Sequence, residues 1–133
     1  MKIVKTLILA GLFSAGLMAS DTTVLMATMA KSESGLLNIQ KGFLYNSEPM
    51  IRNGIKEVRS ANKLFTNLDE TAKYLPKDKQ HMKNVAYNAS KRISSAVDEM
   101  EIYLATKEMG KAQHAYSDIV NACSACHAVV RGW

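Results

Sequence analysis

The stretch KDKQHMKNVAYNASKRISSAVDEMEIYLAT, residues 77–106, decides the fold. Its apolar residues Met82, Val85, Ala89, Ile93, Ala96, Val97, Met100, Tyr103 and Leu104 recur at steps of three and four. That spacing puts them on one face of an α-helix, and it never settles into the alternation that a strand needs.

The same periodicity extends outward in both directions. A first segment, about 22–45, carries Leu25, Met26, Met29, Leu36, Leu37, Ile39, Phe43 and Leu44 as its expected inward stripe, with Asp21, Thr22 and Thr23 able to cap it. Residues 46–49 break the pattern, with Ser47 placed as an N-cap and Pro49 suited to a helix's first turn. A second helix follows through Ile51, Ile55, Val58, Ala61, Phe65, Leu68 and Ala72. It is expected to end near Tyr74 or Leu75, because Pro76 disfavours helical geometry at the residue before it, leaving a short connection around 75–79. Gly110 points to a helix end at 107–109. The last helix carries Ala112, Tyr116, Ile119, Val120, Cys123, Cys126, His127 and Val130. Four long helices with short connections predict an all-α chain, an antiparallel up-down-up-down four-helix bundle.

The chain's 133 residues suit one domain, since domains commonly run to about 100–150 residues. Residues 1–20 stand apart: Lys2 and Lys5 precede an apolar run broken by Gly11 and Gly16, and Asp21 opens a charged chain. This is the pattern of a secretory signal peptide, cut after Ala19 or Ser20, with an uncleaved anchor as the alternative. The run is short for a spanning helix, so no membrane span is expected after cleavage. Residues 21–133 form the expected domain, and export implies the periplasm. Without Lys2 and Lys5, fifteen lysines and arginines face twelve acids, net +3. With no block of like charges, nucleic acid is not an expected partner, whereas an acidic protein is compatible.

Both cysteines lie in one run, Cys-Ser-Ala-Cys-His at 123–127. Two cysteines three apart followed directly by histidine form the attachment sequence of c-type haem. On a helix, positions i, i+3 and i+4 share a face. Cys123 and Cys126 can thus bind haem vinyl groups as thioethers while His127 ligates the iron. A zinc site would want four ligands, and only His81 and His114 remain to complete one. A redox dithiol of the thioredoxin kind accompanies a βαβ pattern, which the sequence lacks. The expected cofactor is one covalent haem c near the C-terminus.

With this motif ending a four-helix chain, the sequence resembles class II cytochromes c, the group of cytochrome c′ and its low-spin relatives. The likeness spans nearly all of the mature chain. It is most specific in Cys-Ser-Ala-Cys-His-Ala-Val-Val-Arg, 123–131, and in Leu-Met-Ala-Thr-Met-Ala-Lys, 25–31, followed by the stretch ending Ile-Gln-Lys-Gly at Gly42. The resemblance implies a haem-side role for Arg131 and places Met26 at the distal face of the haem. There a methionine sulfur is the sixth ligand in low-spin members, whereas five-coordinate members bind nitric oxide or carbon monoxide. Met29, one turn along, is the rival sulfur.

The expected function is therefore a periplasmic electron carrier with His127/Met26 ligation that passes single electrons to redox partner proteins and catalyses no substrate chemistry. Five-coordinate gas binding is the alternative. The resemblance also implies a possible homodimer. His81 and His114 are expected to be bystanders, and Tyr116 to pack either near the haem edge or in the core.

Overall fold

The computed structural model describes residues 21–132, and every element among them is helical. The expected signal segment at 1–20 lies outside the described residues. Four long helices, α1 (Asp21–Leu44), α2 (Glu48–Asn62), α4 (Lys83–Ala105) and α5 (Met109–Arg131), are joined by tight turns and by one longer segment that holds the short α3 (Leu68–Thr71). None of the described helices is long and apolar enough to cross a membrane.

Both tight turns are closed in the same way. After α1, Ser47 N–H donates to Gly42 C=O at 2.8 Å and Asn46 N–H to Phe43 C=O at 3.3 Å, with Asn46 at φ 52°. After α4, Glu108 N–H donates to Tyr103 C=O at 2.8 Å and Lys107 N–H to Leu104 C=O at 3.3 Å, with Lys107 at φ 60°. This is the Schellman pattern, which satisfies the last carbonyls of a helix through one left-handed residue. Asn46 takes that conformation readily, and Lys107 does so at some cost. Gly110, expected to punctuate this turn, instead sits inside the first turn of α5. Ser47 occupies the N-cap of α2, but it is its backbone carbonyl that accepts, from Met50 and Ile51, and its side chain makes no capping bond. Thr22 and Thr23 lie within α1.

The second helix is shorter than its periodicity suggests. It ends at Asn62, and residues 63–82 run through 3-10 turns at Lys63–Phe65, Ala72–Tyr74 and Lys77–Met82, with α3 between the first two. The stop has a local cause: the Asn67 side chain accepts from Asp69 N–H at 2.9 Å and Glu70 N–H at 3.1 Å, which starts a new helix.

Pairs of facing residues fix the packing. Gly35 meets Gly54, Gly42 meets Ile51, and Lys31 donates to Ser60 at 2.8 Å, so α1 and α2 run antiparallel. A Cβ on Gly54 would lie 2.4 Å from the Gly35 carbonyl oxygen; only glycine lets the two backbones approach so closely. Arg59 bridges Asp98 at 2.7 Å and Glu101 at 2.8 Å, joining α2 to α4. Lys111 lies over the Tyr103 ring, joining α5 to α4.

Ile39, Ile51, Ile55, Val58, Val97, Met100, Leu104 and Ile119 form one buried cluster drawn from all four long helices. Each such side chain contributes about 1.5–3 kcal/mol through removal from water. The α1 stripe departs from expectation. Ile39 is buried, but Met26, Leu37 and Leu44 are 68%, 45% and 74% exposed. The face of α1 that packs is set by Gly35, Ile39 and Gly42.

Candidate functional site

The Cys-Ser-Ala-Cys-His run lies in the C-terminal part of α5 and ends about one turn before the helix does. Cys123, Cys126 and His127 are all half-buried, whereas Ser124, Ala125 and Ala128 are exposed. The three chemically distinct side chains thus share the inner face of the helix, as the i, i+3, i+4 spacing requires. Cys123 packs against the edge of the buried cluster. Both thiols are free of disulfide bonds.

Burial pushes the Cys123 thiol up, helped by the neighbouring Cys126, and burial likewise raises Cys126. Both therefore remain protonated at neutral pH, unlike the lowered thiols of redox-exchange sites. Burial first, and then the Arg131 charge, lower the His127 imidazole below its ordinary 6.5. His127 is accordingly neutral at pH 7, the form in which a ring nitrogen can ligate a metal. Arg131 is exposed, makes no ion pair among the described residues, and is near enough for its charge to be felt by His127.

Among the described residues no group of three or more His, Cys, Asp or Glu side chains could hold a metal ion between them. Cys123, Cys126 and His127 therefore line one face without converging on one point. A closed zinc site would need them to meet.

The helices facing the motif change character along their length. Toward the two tight turns the core is filled by branched and long side chains. Toward the motif the buried residues of α4 and α5 are small, Ala86, Ala89, Ser90 and Ala122, and they are joined by Ala61 and Asn62 of α2 and by Thr71 and Leu75 of the long connection. From the contact of Tyr103 with Lys111, the antiparallel register of α4 and α5 places Tyr87 and Ser90 level with the motif. Leu64, Phe65, Leu68, Tyr74, Met82 and Val85, from the long connection and the start of α4, are only half-buried. Phe65 and Tyr74 meet edge to face at 6.4 Å.

Ser90 was not singled out by periodicity. It is 2% exposed, and its Oγ has no hydrogen-bond partner. Asn62 reaches across from α2, donating to Ser90 C=O and Ser94 Oγ at 2.9 Å each. A serine on the inward row between Ala86 and Ile93 was the available signal.

On α1, Leu36 and Phe43 contact Tyr116 of α5. Extending that antiparallel register brings residues 25–32 level with His127. Within it Met29 is half-buried and Met26 is exposed. His81 and His114 are both exposed. Burial, then the neighbouring Cys123, raise the Tyr116 phenol, which lies between the packed core and the motif.

No known protein family matches this chain, and neither characterised proteins nor solved structures include a match to it.

Proposed function

We propose that this chain is a periplasmic c-type cytochrome of the class II kind, an antiparallel four-helix bundle that carries single electrons on one covalent haem. The observation that carries the proposal is the Cys123, Cys126, His127 face, half-buried at the end of α5 where large core side chains give way to alanines and Ser90. When bound there, haem would supply a one-electron iron couple.

The residues present fit such a group. Cys123 and Cys126 would hold it as thioethers, and neutral His127 would be the proximal ligand. The buried side chains of α4 and α5 at this level are small, and the half-buried apolar residues of the long connection would cover a flat group bound beside them. The orphan Ser90 hydroxyl is the kind of buried polar atom that a further ligand satisfies. Arg131, beyond His127, would face the same group.

The sixth position falls to a sulfur of α1. Met26 holds it by resemblance, yet Met26 is 68% exposed, whereas Met29 lies half-buried on the row that continues to Leu36 and Phe43. That row supports Met29 as the stronger candidate. The exposure of Met26 equally favours a second reading, a five-coordinate iron that binds nitric oxide or carbon monoxide.

The test is expression of the full chain with a c-type haem maturation system. The expected product keeps its haem through acid-acetone extraction and shows a pyridine haemochrome spectrum for two thioether bonds, which C123A/C126A loses. A purified chain without covalent haem overturns the proposal. Ready carbon monoxide binding by a high-spin ferrous form selects the second reading.

A further inference from the structure

Ser90 and Ser94 stand one turn apart on α4, where α2 meets it, and Asn62 of α2 decides how their hydroxyls are used. The amide nitrogen of Asn62 has two hydrogens, and it donates at 2.9 Å both to Ser90 C=O and to Ser94 Oγ. Ser94 Oγ is thus an acceptor toward Asn62, and its own hydrogen goes to no partner among the described residues. Ser90 is 2% exposed, and its Oγ has no partner among them either. A buried hydroxyl in that state destabilises the fold unless something bound satisfies it. The seam between α2 and α4 therefore holds two hydroxyl hydrogens able to be donated.

The haem proposed above offers one kind of acceptor for them. Its ring nitrogens are taken by the iron, which leaves the oxygens of its two propionate carboxylates. Those carboxylates and the vinyl groups that cysteines bind lie on opposite edges of the macrocycle. A haem fixed to α5 through Cys123 and Cys126 accordingly directs its carboxylates away from the motif helix.

The packing gives that direction an address. Lys111 and Tyr103 join α5 to α4, and Tyr116 joins α5 to Leu36 and Phe43 of α1. Gly54 and Gly35 join α2 to α1, and Asn62 and Arg59 join α2 to α4. The seam of α2 and α4 is therefore across the interior from the seam of α1 and α5. Along the helix axes, the register of α4 on α5 sets Ser90 level with the motif.

We propose that Ser90 and Ser94 receive a haem propionate, their hydroxyls donating to its carboxylate while Asn62 holds the pair in place. Bonds to a charged acceptor are stronger than those between neutral groups, so the contact fixes the edge of the haem that the cysteines do not hold. The proposal rests on the haem reading, and it adds the residues that meet the polar edge of the group.

The test is resonance Raman spectroscopy of the haem-loaded full chain, read at the propionate bending mode, whose frequency rises with hydrogen bonding to the carboxylate. Ser90→Ala is expected to move that band to lower frequency, and Ser94→Ala to move it less. Ser95→Ala, which removes an exposed hydroxyl bonded to Glu99, is expected to leave it in place. Titrating the band with pH gives a second readout. Without the Ser90 donor the charged carboxylate loses support, so it should hold its proton about tenfold more tightly, the factor that one bond to a charged group supplies. Where Ser90→Ala fails to load haem, Ser94→Ala carries the same two measurements. A band and a titration unchanged by these variants, or a shift of equal size in Ser95→Ala, overturns the proposal and leaves the haem reading standing. A chain with no covalent haem in its haemochrome spectrum overturns both.

Discussion

Phe43 of α1 meets Tyr116 of α5 with ring centroids 6.1 Å apart, and the Tyr116 hydroxyl donates to the Leu36 carbonyl, one heptad earlier, at 3.4 Å. A further heptad back on the same row stands Met29. Met26 lies roughly 60° around the helix from it, at about 100° per residue. Met29 is half-buried on that row, whereas Met26 is 68% exposed. Met29→Ala is therefore expected to abolish the near-infrared sulfur-to-iron band of the oxidised haem protein, while Met26→Ala retains it. Loss in Met26→Ala alone would show that α1 turns when the haem is bound.

The approach of Gly35 to Gly54 gives a prediction about stability. An added Cβ at Gly54 would meet the Gly35 carbonyl oxygen at 2.4 Å and Ile39 N at 2.8 Å, and both are backbone atoms that cannot swing aside. Gly54→Ala must push α1 from α2 and is expected to cost about 2–4 kcal/mol in urea unfolding. At Gly110 an added Cβ meets nothing within 4 Å. Gly110→Ala in the first turn of α5 is expected to stabilise by up to about 1 kcal/mol.

Glu48 ties the two tight turns together. It accepts from Lys107 at 2.7 Å and from Arg52 at 2.6 and 2.9 Å. Those bonds, Lys107 first, hold its carboxyl below the ordinary 4.5. A carboxyl depressed by folding stabilises the fold above its unfolded value, and that contribution is lost as pH falls through the folded value. Lys107→Met, which keeps the left-handed residue, is expected to lower the urea midpoint at pH 7. The gap to the parent chain should close as pH falls below the ordinary carboxylate value of 4.5. A gap that persists in acid would assign the effect to packing in place of charge.

The core was legible where apolar residues recur against a polar background. Ile51, Ile55 and Val58 on α2, and Val97, Met100 and Leu104 on α4, are buried as their spacing requires. On α1 apolar residues surround the helix, so periodicity alone could not choose a face. The choice is made by Gly35 and Gly42, which hydropathy does not register, and it turns Met26, Leu37 and Leu44 outward. The early end of α2 did have a signal. Asn67 followed three residues later by Glu70 is a capping pattern, outweighed by the run of spaced apolar residues through Ala72. The turn before α5 had none, because it rests on a lysine in a left-handed conformation that any glycine nearby seemed better suited to supply. The motif face was legible because two cysteines and a histidine at that spacing can only share one side of a helix.

The Asn62 side chain is the buried polar link between α2 and α4, and Ser90 beside it bears an unpartnered hydroxyl. The two should respond to alanine with opposite signs. Asn62→Ala removes both donated bonds and leaves the Ser90 carbonyl without that donor and Ser94 Oγ without its partner, so a loss of about 1–3 kcal/mol is expected in the haem-free chain. Ser90→Ala removes a hydroxyl that gains nothing from burial, and is expected to be neutral or to stabilise by up to about 1 kcal/mol. Urea unfolding of both variants decides the matter. A loss in Ser90→Ala comparable to that in Asn62→Ala would mean that the hydroxyl has a partner in the folded chain, such as an ordered water. The same pair measured on the haem-loaded protein separates the two roles further: if the bound group satisfies Ser90, its alanine variant turns destabilising there while remaining neutral without haem.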